Sequence, residues 1–386
     1  MSKAKSAPTL RRPNAQAAIT LVVLLLTVIG LIAIYAASSL KGAQQFGDEY
    51  IFLRKQLIAA VVGFAAFFAL QRLPMKWIEH MTIPIMAVTL FLLSLIFVPG
   101  MYVKIGGASR WLNLPFIGGQ PSELTKLAMV LFLARNLSRN KSDMNSLSKG
   151  VLPNLLVFGV FAGLLLMQKD LGTPVLLFAI TFFMMFAAGL SRRFVLAGLG
   201  LAASAVTFAV IFEPYRIKRI LGFLDPWSQV KGSGFQIIQS FVAFQNGGLL
   251  GVGLGESKQK LFFLPEAHTD FILAVIGEEL GLMGVLVVCS CFVYLTLIGF
   301  QVSVSQPTAY RRFLAFGLTS TLAVQACINM GVCMGLLPTK GMTLPLVSSG
   351  NSSLLVFLVI SAILARLAKE SATAAEVQYT HAGEGA

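Results

Sequence analysis

Ten apolar stretches, each close to the length of a membrane-spanning helix, constrain the fold of this chain more than any other feature. About 20 apolar residues in a helix cross the hydrocarbon core of a bilayer. The stretches lack the two-residue alternation of an outer-membrane barrel, so helices are the expected spanning form. They occupy residues 17–37, 56–70, 81–98, 122–137, 151–167, 172–190, 194–212, 271–300, 313–337 and 352–367.

The composition supports the same fold class. Charged residues make up 12% of the 386 residues and hydrophobic residues 56%, whereas soluble domains carry about 25% charged residues. The sequence therefore predicts an all-α polytopic membrane protein with ten transmembrane helices. The first apolar stretch continues too far for the core of a signal peptide, so no cleavable leader is expected.

The distribution of lysine and arginine predicts the orientation. Cytoplasmic termini place 16 of the 30 basic residues inside and 14 outside, and six of the outer ones fall in residues 213–270. Because the positive-inside rule weakens in a loop this long, these six residues are left out of the comparison. The remaining basic residues then lie mainly on the side of the termini, so both termini are predicted to be cytoplasmic. Residues 1–16 form a basic tail, residues 17–367 a single membrane domain with its large extracytoplasmic loop between helices 7 and 8, and residues 368–386 a tail expected to be disordered.

The net charge of +14 is assigned to membrane topology and anionic lipids, and no nucleic-acid partner is expected. Two interpretations of the basic outer loop stay open: a solvated loop, or a site for an anionic headgroup or phosphate. Apolar residues with helical spacing in this loop, from Ile237 to Phe244, predict an amphipathic helix lying on the membrane surface. The six basic residues of the loop are Arg216, Lys218, Arg219, Lys231, Lys258 and Lys260.

Ionisable groups within or beside apolar spans are functional candidates, because they are costly in lipid. Glu123 and Lys126 stand three apart near the start of the fourth span, either as a self-neutralising pair or as part of a site. Asp170 lies in an outer turn. Asp270 precedes the eighth span, and Glu278 and Glu279 follow two turns further along. All of these ionisable residues lie near the outer side of the membrane, so they are expected to line one cavity.

Several familiar sites are excluded. The four cysteines lie inside apolar stretches and are interpreted as small buried apolar side chains. The three histidines are too scattered along the chain for a metal site. The glycine-rich residues 247–255 lack the Gly-Lys-Ser/Thr ending of a phosphate-binding loop and are interpreted as a flexible outer hinge, so no nucleotide is expected.

Five motifs carry a resemblance to a known family. They follow one another in order from about Trp111 to Ser353, and they resemble those of the SEDS proteins of shape, elongation, division and sporulation. The subtype signals are mixed: Ala267 and the Gly-Glu-Glu-Leu-Gly motif are similar to the division (FtsW) type, whereas Leu171 and Val347 are more similar to the elongation (RodA) type. The division type is the preferred interpretation. The motifs are Leu-Pro-Glu-Ala-His-Thr-Asp-Phe-Ile at 264–272, Gly-Glu-Glu-Leu-Gly at 277–281, Gln-Pro-Ser-Glu-Leu-Thr-Lys at 120–126, Arg-Ile-Leu-Gly-Phe-Leu-Asp-Pro-Trp at 219–227 and Gly-Leu-Leu-Pro-Thr-Lys-Gly-Met-Thr-Leu-Pro at 335–345.

The chain departs from the family pattern in two places. Lys169 stands where the family usually has proline, in a Gln-Pro-Asp turn. Ser349 and Asn351 replace the tyrosine and the second glycine of the usual Ser-Tyr-Gly-Gly-Ser-Ser before the last span. Both departures concern the fine geometry of the outer cavity.

The resemblance implies a peptidoglycan glycosyltransferase that polymerises lipid II, a disaccharide-peptide on undecaprenyl pyrophosphate, at the outer face of the cytoplasmic membrane. It implies Asp270 as the catalytic residue. The remaining candidates are expected to bind the substrate: Glu123, Lys126, Asp170, Arg216, Arg219, Lys258, Gln259, Lys260, Glu266, His268, Thr269, Lys340 and Ser348.

The resemblance also implies the partners. A class B penicillin-binding protein and the division complex are expected beside the membrane lipid, which places the chain in the inner membrane at the septum. No permanently bound cofactor is expected. Divalent cations take part in the family's activity, so Mg²⁺ or Mn²⁺ is expected near the pyrophosphate, although no ligand set can be assigned.

Three alternatives remain beside this hypothesis. A lipid II flippase predicts ionisable residues at the bilayer midplane, whereas the candidates here cluster near the outer side. An elongation-type polymerase shares the chemistry but not the cellular role. A non-catalytic scaffold leaves the dense polar motifs of the outer loop without a purpose.

Overall fold

Helices make up most of the structure, which is a computed structural model. The structure describes no side chains beyond residue 371, and it leaves out seven in α8 and α9 and four in the hairpin. The backbone is described for residues 14–105, 108–113, 119–139, 144–211, 214–230, 232, 234–257 and 267–384.

Thirteen α-helices and one β-hairpin form this described part. A single π-helical turn, Leu147–Val151, precedes the sixth helix, and a 3₁₀ turn, Trp227–Gln229, follows the ninth. The elements are α1 (Ala15–Phe46), α2 (Ile51–Leu70), α3 (Met75–His80), α4 (Thr82–Leu95), β1 (Tyr102–Ile105), β2 (Ala108–Leu112), α5 (Pro121–Arg139), α6 (Leu152–Met167), α7 (Gly172–Ala187), α8 (Arg192–Ile211), α9 (Pro214–Leu224), α10 (Phe235–Gly247), α11 (Ile272–Val304), α12 (Ala309–Cys333) and α13 (Asn351–Glu384).

Each of the ten predicted stretches coincides with one helix. Within the described residues, six helices are long and apolar enough to cross a membrane, and the apolar helices α4 and α7 are shorter. The chain is therefore a polytopic membrane protein. The six long segments are Ala15–Phe46, Ile51–Leu70, Leu147–Met167, Ile272–Val304, Ala309–Cys333 and Asn351–Ser371.

One detail of the predicted fold class is corrected. The fold is not purely helical, because β1 and β2 pair antiparallel, with Tyr102 opposite Leu112. The last helix, α13, runs from Asn351 to Glu384. That helix is tied to the start of α12 by Glu370, whose two carboxylate oxygens each lie 2.9 Å from an arginine, Arg311 and Arg366.

Helix α5 lies at the centre of the bundle. It packs against α4, α7, α12 and α13, and its consecutive residues Met129, Val130 and Leu131 are all fully buried. A helix that is apolar on every side is a core helix. The short predicted fourth stretch therefore has protein neighbours on all sides, and so do its ionisable residues Glu123 and Lys126.

Helix α11 is broken at Gly281, where the backbone leaves helical geometry with φ 65° and ψ −163°. The glycine-rich residues 247–255 fill the break. Val252 and Gly253 donate their N–H groups to the carbonyls of Glu278 and Glu279 at 3.0 and 3.1 Å. Residues 247–253 are therefore bonded to α11, so the prediction of a flexible hinge is wrong for them.

The amphipathic helix predicted near residues 237–244 is present as α10, but its predicted position on the membrane surface is wrong. Ile237 and Ile238 are buried, and α10 packs against α11. Helix α9 instead exposes an apolar surface, with Leu221 52% and Leu224 71% exposed. Of the two, α9 is the helix suited to a membrane surface.

Gly251 and Gly255 make a matched pair for testing the contact at the break, since their φ angles are +83° and +82°. A Cβ on Gly251 would lie 2.1 Å from the carbonyl oxygen of Glu279, whereas no atom of the described residues lies within 4 Å of one on Gly255. Gly251→Ala is expected to lower the melting temperature in detergent by several degrees more than Gly255→Ala, because only the first adds a clash to the backbone strain. Equal losses would show that residues 247–253 do not hold α11.

Candidate functional site

A partly buried, non-helical segment connects α12 to α13 and organises the site. This segment, residues 335–350, is called the strap. It passes against α1 so closely that a Cβ on Gly30 would lie 2.5 Å from the carbonyl oxygen of Val347. Its buried residues include Thr339, Met342, Leu344, Leu346, Val347 and Ser348.

Side chains from three helices satisfy the backbone of the strap. Gln56 of α2 accepts from the N–H of Gly350 at 3.1 Å and donates to the carbonyl of Ser348 at 3.4 Å. Gln325 of α12 donates to the carbonyl of Thr343 at 2.9 Å, and Arg219 of α9 donates to that of Thr339 at 2.9 Å. Asn329 of α12 donates to Met342 at 2.7 Å.

Asp270 lies in the turn immediately before α11, partly exposed, next to the strap. A Cβ on Gly341 would lie 3.2 Å from its Oδ2 atom, so glycine leaves the carboxylate room. The neighbouring His268 is buried, its ring centroid lies 5.0 Å from that of Phe52, and its carbonyl accepts from the N–H of Ser349 at 2.9 Å. The strap and the Asp270 turn are therefore bonded to each other.

Asp170 reaches the same strap from the start of α7. Its carboxylate accepts from the backbone N–H and the hydroxyl of Thr173, at 3.3 and 2.7 Å, and so caps that helix. The side chain of Met342 packs on the adjacent Gly172. Burial lowers the pKa of Lys340 below its usual value, and the Asp170 carboxylate acts in the opposite direction.

The backbone at Lys169 explains how this chain departs from the family pattern. Lys169 has φ +60°, and Arg110 of β2 donates a hydrogen bond to its carbonyl. Proline, whose φ is fixed near about −65°, cannot adopt this conformation. The turn before Asp170 therefore differs in backbone from one that contains the usual proline.

Glu123 and Lys126 form a buried ion pair linked to the strap. The ammonium nitrogen of Lys126 lies 2.7 Å from Oε2 of Glu123 and 2.7 Å from Oε1 of Gln325, and 5.0 Å from the ring centroid of Phe357. Because Gln325 also donates to Thr343, the pair reaches the strap through one amide. The spacing of the pair was readable in the sequence, but its third partner was not.

Glu278 and Glu279 do not join this group. Both are buried, and the Glu278 carboxylate accepts hydrogen bonds from Asn246, at 3.3 Å, and from Ser257. They lie at the break in α11 beside residues 247–255. Asp170 and Asp270 thus lie beside the strap, whereas these two carboxylates lie elsewhere.

The basic outer loop contributes one described cavity, of about 600 Å³. Arg219 connects this cavity to the strap through Thr339. The cavity is lined by Lys218, Arg219, Leu221, Gln229, Gly232, Gln236 and Thr339.

The predicted site residue Ser348 forms a hydrogen bond within the strap, because its hydroxyl accepts from the N–H of Leu344 at 2.8 Å.

The remaining predicted site residues fall inside and outside the described part of the chain. Thr269 lies inside it, partly exposed between His268 and Asp270. Within the described part of the chain, no three His, Cys, Asp or Glu side chains are grouped so that they could hold a metal ion. The candidates outside the described residues are Lys258, Gln259, Lys260 and Glu266, with Lys231 and the side chain of Arg216.

Sequence reasoning missed the amides Gln56, Gln325 and Asn329. All three lie within apolar helices and are almost fully buried. Polar side chains in membrane helices usually have a bonded partner or a function. The spacing of Gln325 and Asn329, four apart on one helix face, was the signal that could have found them.

Removing Lys126 is expected to destabilise the protein by about 3–5 kcal/mol, because Glu123 is left as a buried charge without its partner. Lys126→Ala should therefore give a lower melting temperature and a lower yield of folded protein. The double variant Glu123→Ala/Lys126→Ala should recover part of that stability. Both variants should lose activity, and wild-type activity in the double variant would reduce the pair to a structural role.

Comparisons with known proteins show the relatives of this chain. The chain is 43% identical to the "Probable peptidoglycan glycosyltransferase FtsW" of Geobacter metallireducens, over 90% of this chain and 92% of that protein. It is 38% identical to the "Stage V sporulation protein E" of Bacillus subtilis, over 94% of this chain and 99% of the relative.

Two solved structures share the fold. One, described as "Structural coordination of polymerization and crosslinking by a peptidoglycan synthase complex", matches with a TM-score of 0.75 at 27% identity, over 92% of this chain and 97% of the other. The other is the rod shape determining protein RodA of Thermus thermophilus, with a TM-score of 0.67 at 25% identity, over 91% of this chain and 96% of RodA. The "Cell cycle protein" family model for FtsW, RodA and SpoVE matches residues 16–373. With a match over nearly its whole length, the chain belongs to the FtsW/RodA/SpoVE family.

Proposed function

We propose that this chain is a peptidoglycan glycosyltransferase of the FtsW type, which polymerises lipid II into glycan strands. The observation that carries the proposal is the position of Asp270, a partly exposed carboxylate beside the strap, with Asp170 and Lys340 nearby. The printed names of the relatives support this reaction. A flippase would need its ionisable groups near the middle of the membrane, whereas these lie where helices end.

The membrane arrangement belongs to the same proposal. The ten helices that match the predicted stretches span the cytoplasmic membrane, with both termini in the cytoplasm. The distribution of charge supports this, since Arg311, Arg366 and Glu370 meet at the start of α12, whereas the strap follows its end. Asp270 and the strap then face the outer side, where lipid II presents its disaccharide.

Asp270 serves as the general base of an inverting transfer. The sugar 4-hydroxyl of the acceptor attacks the anomeric carbon of the donor, and a C–O bond forms there. The anomeric bond to the undecaprenyl pyrophosphate breaks, and the pyrophosphate leaves with the bonding electrons. The hydroxyl proton passes to the Asp270 carboxylate.

The pyrophosphate is held by the basic residues of the outer loop. Lys218 and Arg219 line the cavity of about 600 Å³, and the guanidinium fork of an arginine fits phosphate oxygens better than an ammonium group. Because Arg219 also bonds to the strap, phosphate binding and the position of Asp270 are connected through one segment.

A divalent cation is compatible with these residues. Mg²⁺ is commonly bound by one or two carboxylates together with substrate phosphates, which does not require a cluster of three protein ligands. Asp170 and Asp270 are the described carboxylates beside the strap. Such a cation would offset the charge that develops on the leaving pyrophosphate.

We also propose a class B penicillin-binding protein as partner, at the division septum. The likeness to a chain from a complex of polymerisation and crosslinking supports the partner. The likeness to proteins named FtsW supports the septal site. Assembly with the division complex and contact with lipid II at the outer leaflet follow from this role.

Asp270→Asn is expected to abolish glycan synthesis, because it keeps the shape of the side chain and removes its basicity. The measurement is a gel of glycan strands made from fluorescent lipid II by the purified chain with its penicillin-binding partner. Asp48→Asn is the matched control, since Asp48 is an outer carboxylate that pairs with Arg54 at 3.3 Å. Near wild-type polymer from Asp270→Asn would end the assignment, and lipid II transport without polymer in the wild type would favour a flippase.

Arg219→Ala is expected to weaken lipid II binding by about 10- to 150-fold, because one charged hydrogen bond contributes about 1.5–3 kcal/mol. Arg219→Lys should recover only part of that affinity. Binding in nanodiscs is compared with the melting temperature, which should change little. Arg54→Ala, an exposed arginine at the start of α2, serves as the control with unchanged affinity. Unchanged affinity and activity in Arg219→Ala would make the basic cluster a solvated loop.

A further inference from the structure

One face of α12 is lined by polar side chains that point at the strap and at Asp270. Gln325, Asn329 and Cys333 follow one another at intervals of four, so they share that face. Gln325 donates to the strap at Thr343, and the Cys333 thiol lies 3.3 Å from the carbonyl oxygen of Asp270. Asn329, in the middle, contacts both.

The Asn329 amide bridges two segments of backbone. Its Nδ2 atom lies 2.9 Å from the carbonyl oxygen of Asp270 and 2.7 Å from that of Met342. An amide nitrogen carries two hydrogen atoms, so each carbonyl receives one. Asp270 precedes the first turn of α11 and Met342 lies in the strap, so neither position is set by a helix of its own.

The bridge also controls what lies beside the carboxylate. Gly341, next to Met342, is the residue whose Cβ would lie 3.2 Å from Oδ2 of Asp270. Met342 itself packs on Gly172, next to the Asp170 carboxylate. A shift of the strap relative to Asp270 would therefore move these groups past the carboxylate.

Asn329 acts only through these neighbours. It is 1% exposed, and its Oδ1 atom lies 3.9 Å from the Cys333 sulfur. A side chain so deeply buried has no route to the substrate. Its effect must pass through the two carbonyls that it joins.

We infer that Asn329 is a positioning residue for the glycosyl transfer: its amide holds the Asp270 turn against the strap and thereby sets the carboxylate against the bound sugars. This inference rests on the proposed role of Asp270 as general base. Misplacement of a catalytic group by about 1 Å can lower a rate by about 100-fold. Arg219 bonds the strap at Thr339 rather than at Met342, so substrate binding through the outer loop should change less than the rate.

The test compares steady-state polymerisation of lipid II by the full chain with its penicillin-binding partner. Asn329→Leu removes both donors at similar size, and Asn329→Asp removes them at the same shape. Both should lower kcat by about 10–100-fold while KM for lipid II stays within about threefold of wild type. Cys333→Ala removes only the weak thiol donor to the Asp270 carbonyl and should lower kcat by about threefold. If neither Asn329 variant folds, the kcat of Cys333→Ala tests the inference, and a wild-type kcat there would overturn it.

Thr321→Val is the matched control on the same helix. The Thr321 hydroxyl is fully buried and donates to the carbonyl of Gly317 at 2.8 Å, so the variant also loses one buried hydrogen bond. Its kcat and KM should equal those of wild type. A similar loss of kcat in Thr321→Val, or a wild-type kcat in the Asn329 variants, would overturn the inference, as would a raised KM with unchanged kcat.

Asp270→Asn separates the two proposals. If Asp270→Asn polymerises normally, the assignment of the base fails and the positioning role fails with it. If Asp270→Asn is inactive while folded Asn329 variants keep the wild-type kcat, only the positioning role fails.

Discussion

Backbone that is not helical must still have its N–H and C=O groups bonded when it lies inside a membrane protein, and the site depends on this requirement. The strap has no ladder of its own. Its carbonyls are bonded instead by Gln325, Asn329 and Arg219, and Gln56 bonds both a carbonyl and an N–H. Each such bond also fixes the distance between the strap and the helix that supplies the side chain.

The break in α11 meets the same requirement in another way. There the freed groups of the helix are bonded by another stretch of backbone, residues 247–253, and glycines allow the close approach. Two irregular segments therefore flank the first part of α11, one at the Asp270 turn and one at Gly281. The first part of α11, which follows the proposed catalytic residue, is held by main-chain contacts beside Gly281 and by the Asn329 amide at the Asp270 turn.

Much of the fold could be predicted from the sequence, because burial in lipid requires long apolar stretches whose length can be read directly. The pairing of Glu123 with Lys126 could also be predicted, since residues three apart share a helix face. The partners of the strap could not. Gln56 and Ser348 are 292 positions apart, and nothing in an apolar stretch shows which helix its amide will face. The same holds for α10, whose periodicity predicts a helix but not the surface that covers it.

The turn before Asp170 shows that a residue typical of the family cannot always be introduced into this chain as a single substitution. Lys169 has φ +60° and donates its own N–H to the carbonyl of Leu166 at 2.9 Å. The usual proline would lack that donor and would require another φ. Replacing Lys169 of this chain by the proline of the family pattern would thus strain the turn. The strain would fall on the next residue, Asp170, which caps α7. Sequence exchange between members of this family has to move whole turns, with Arg110 and the strap included, rather than single residues.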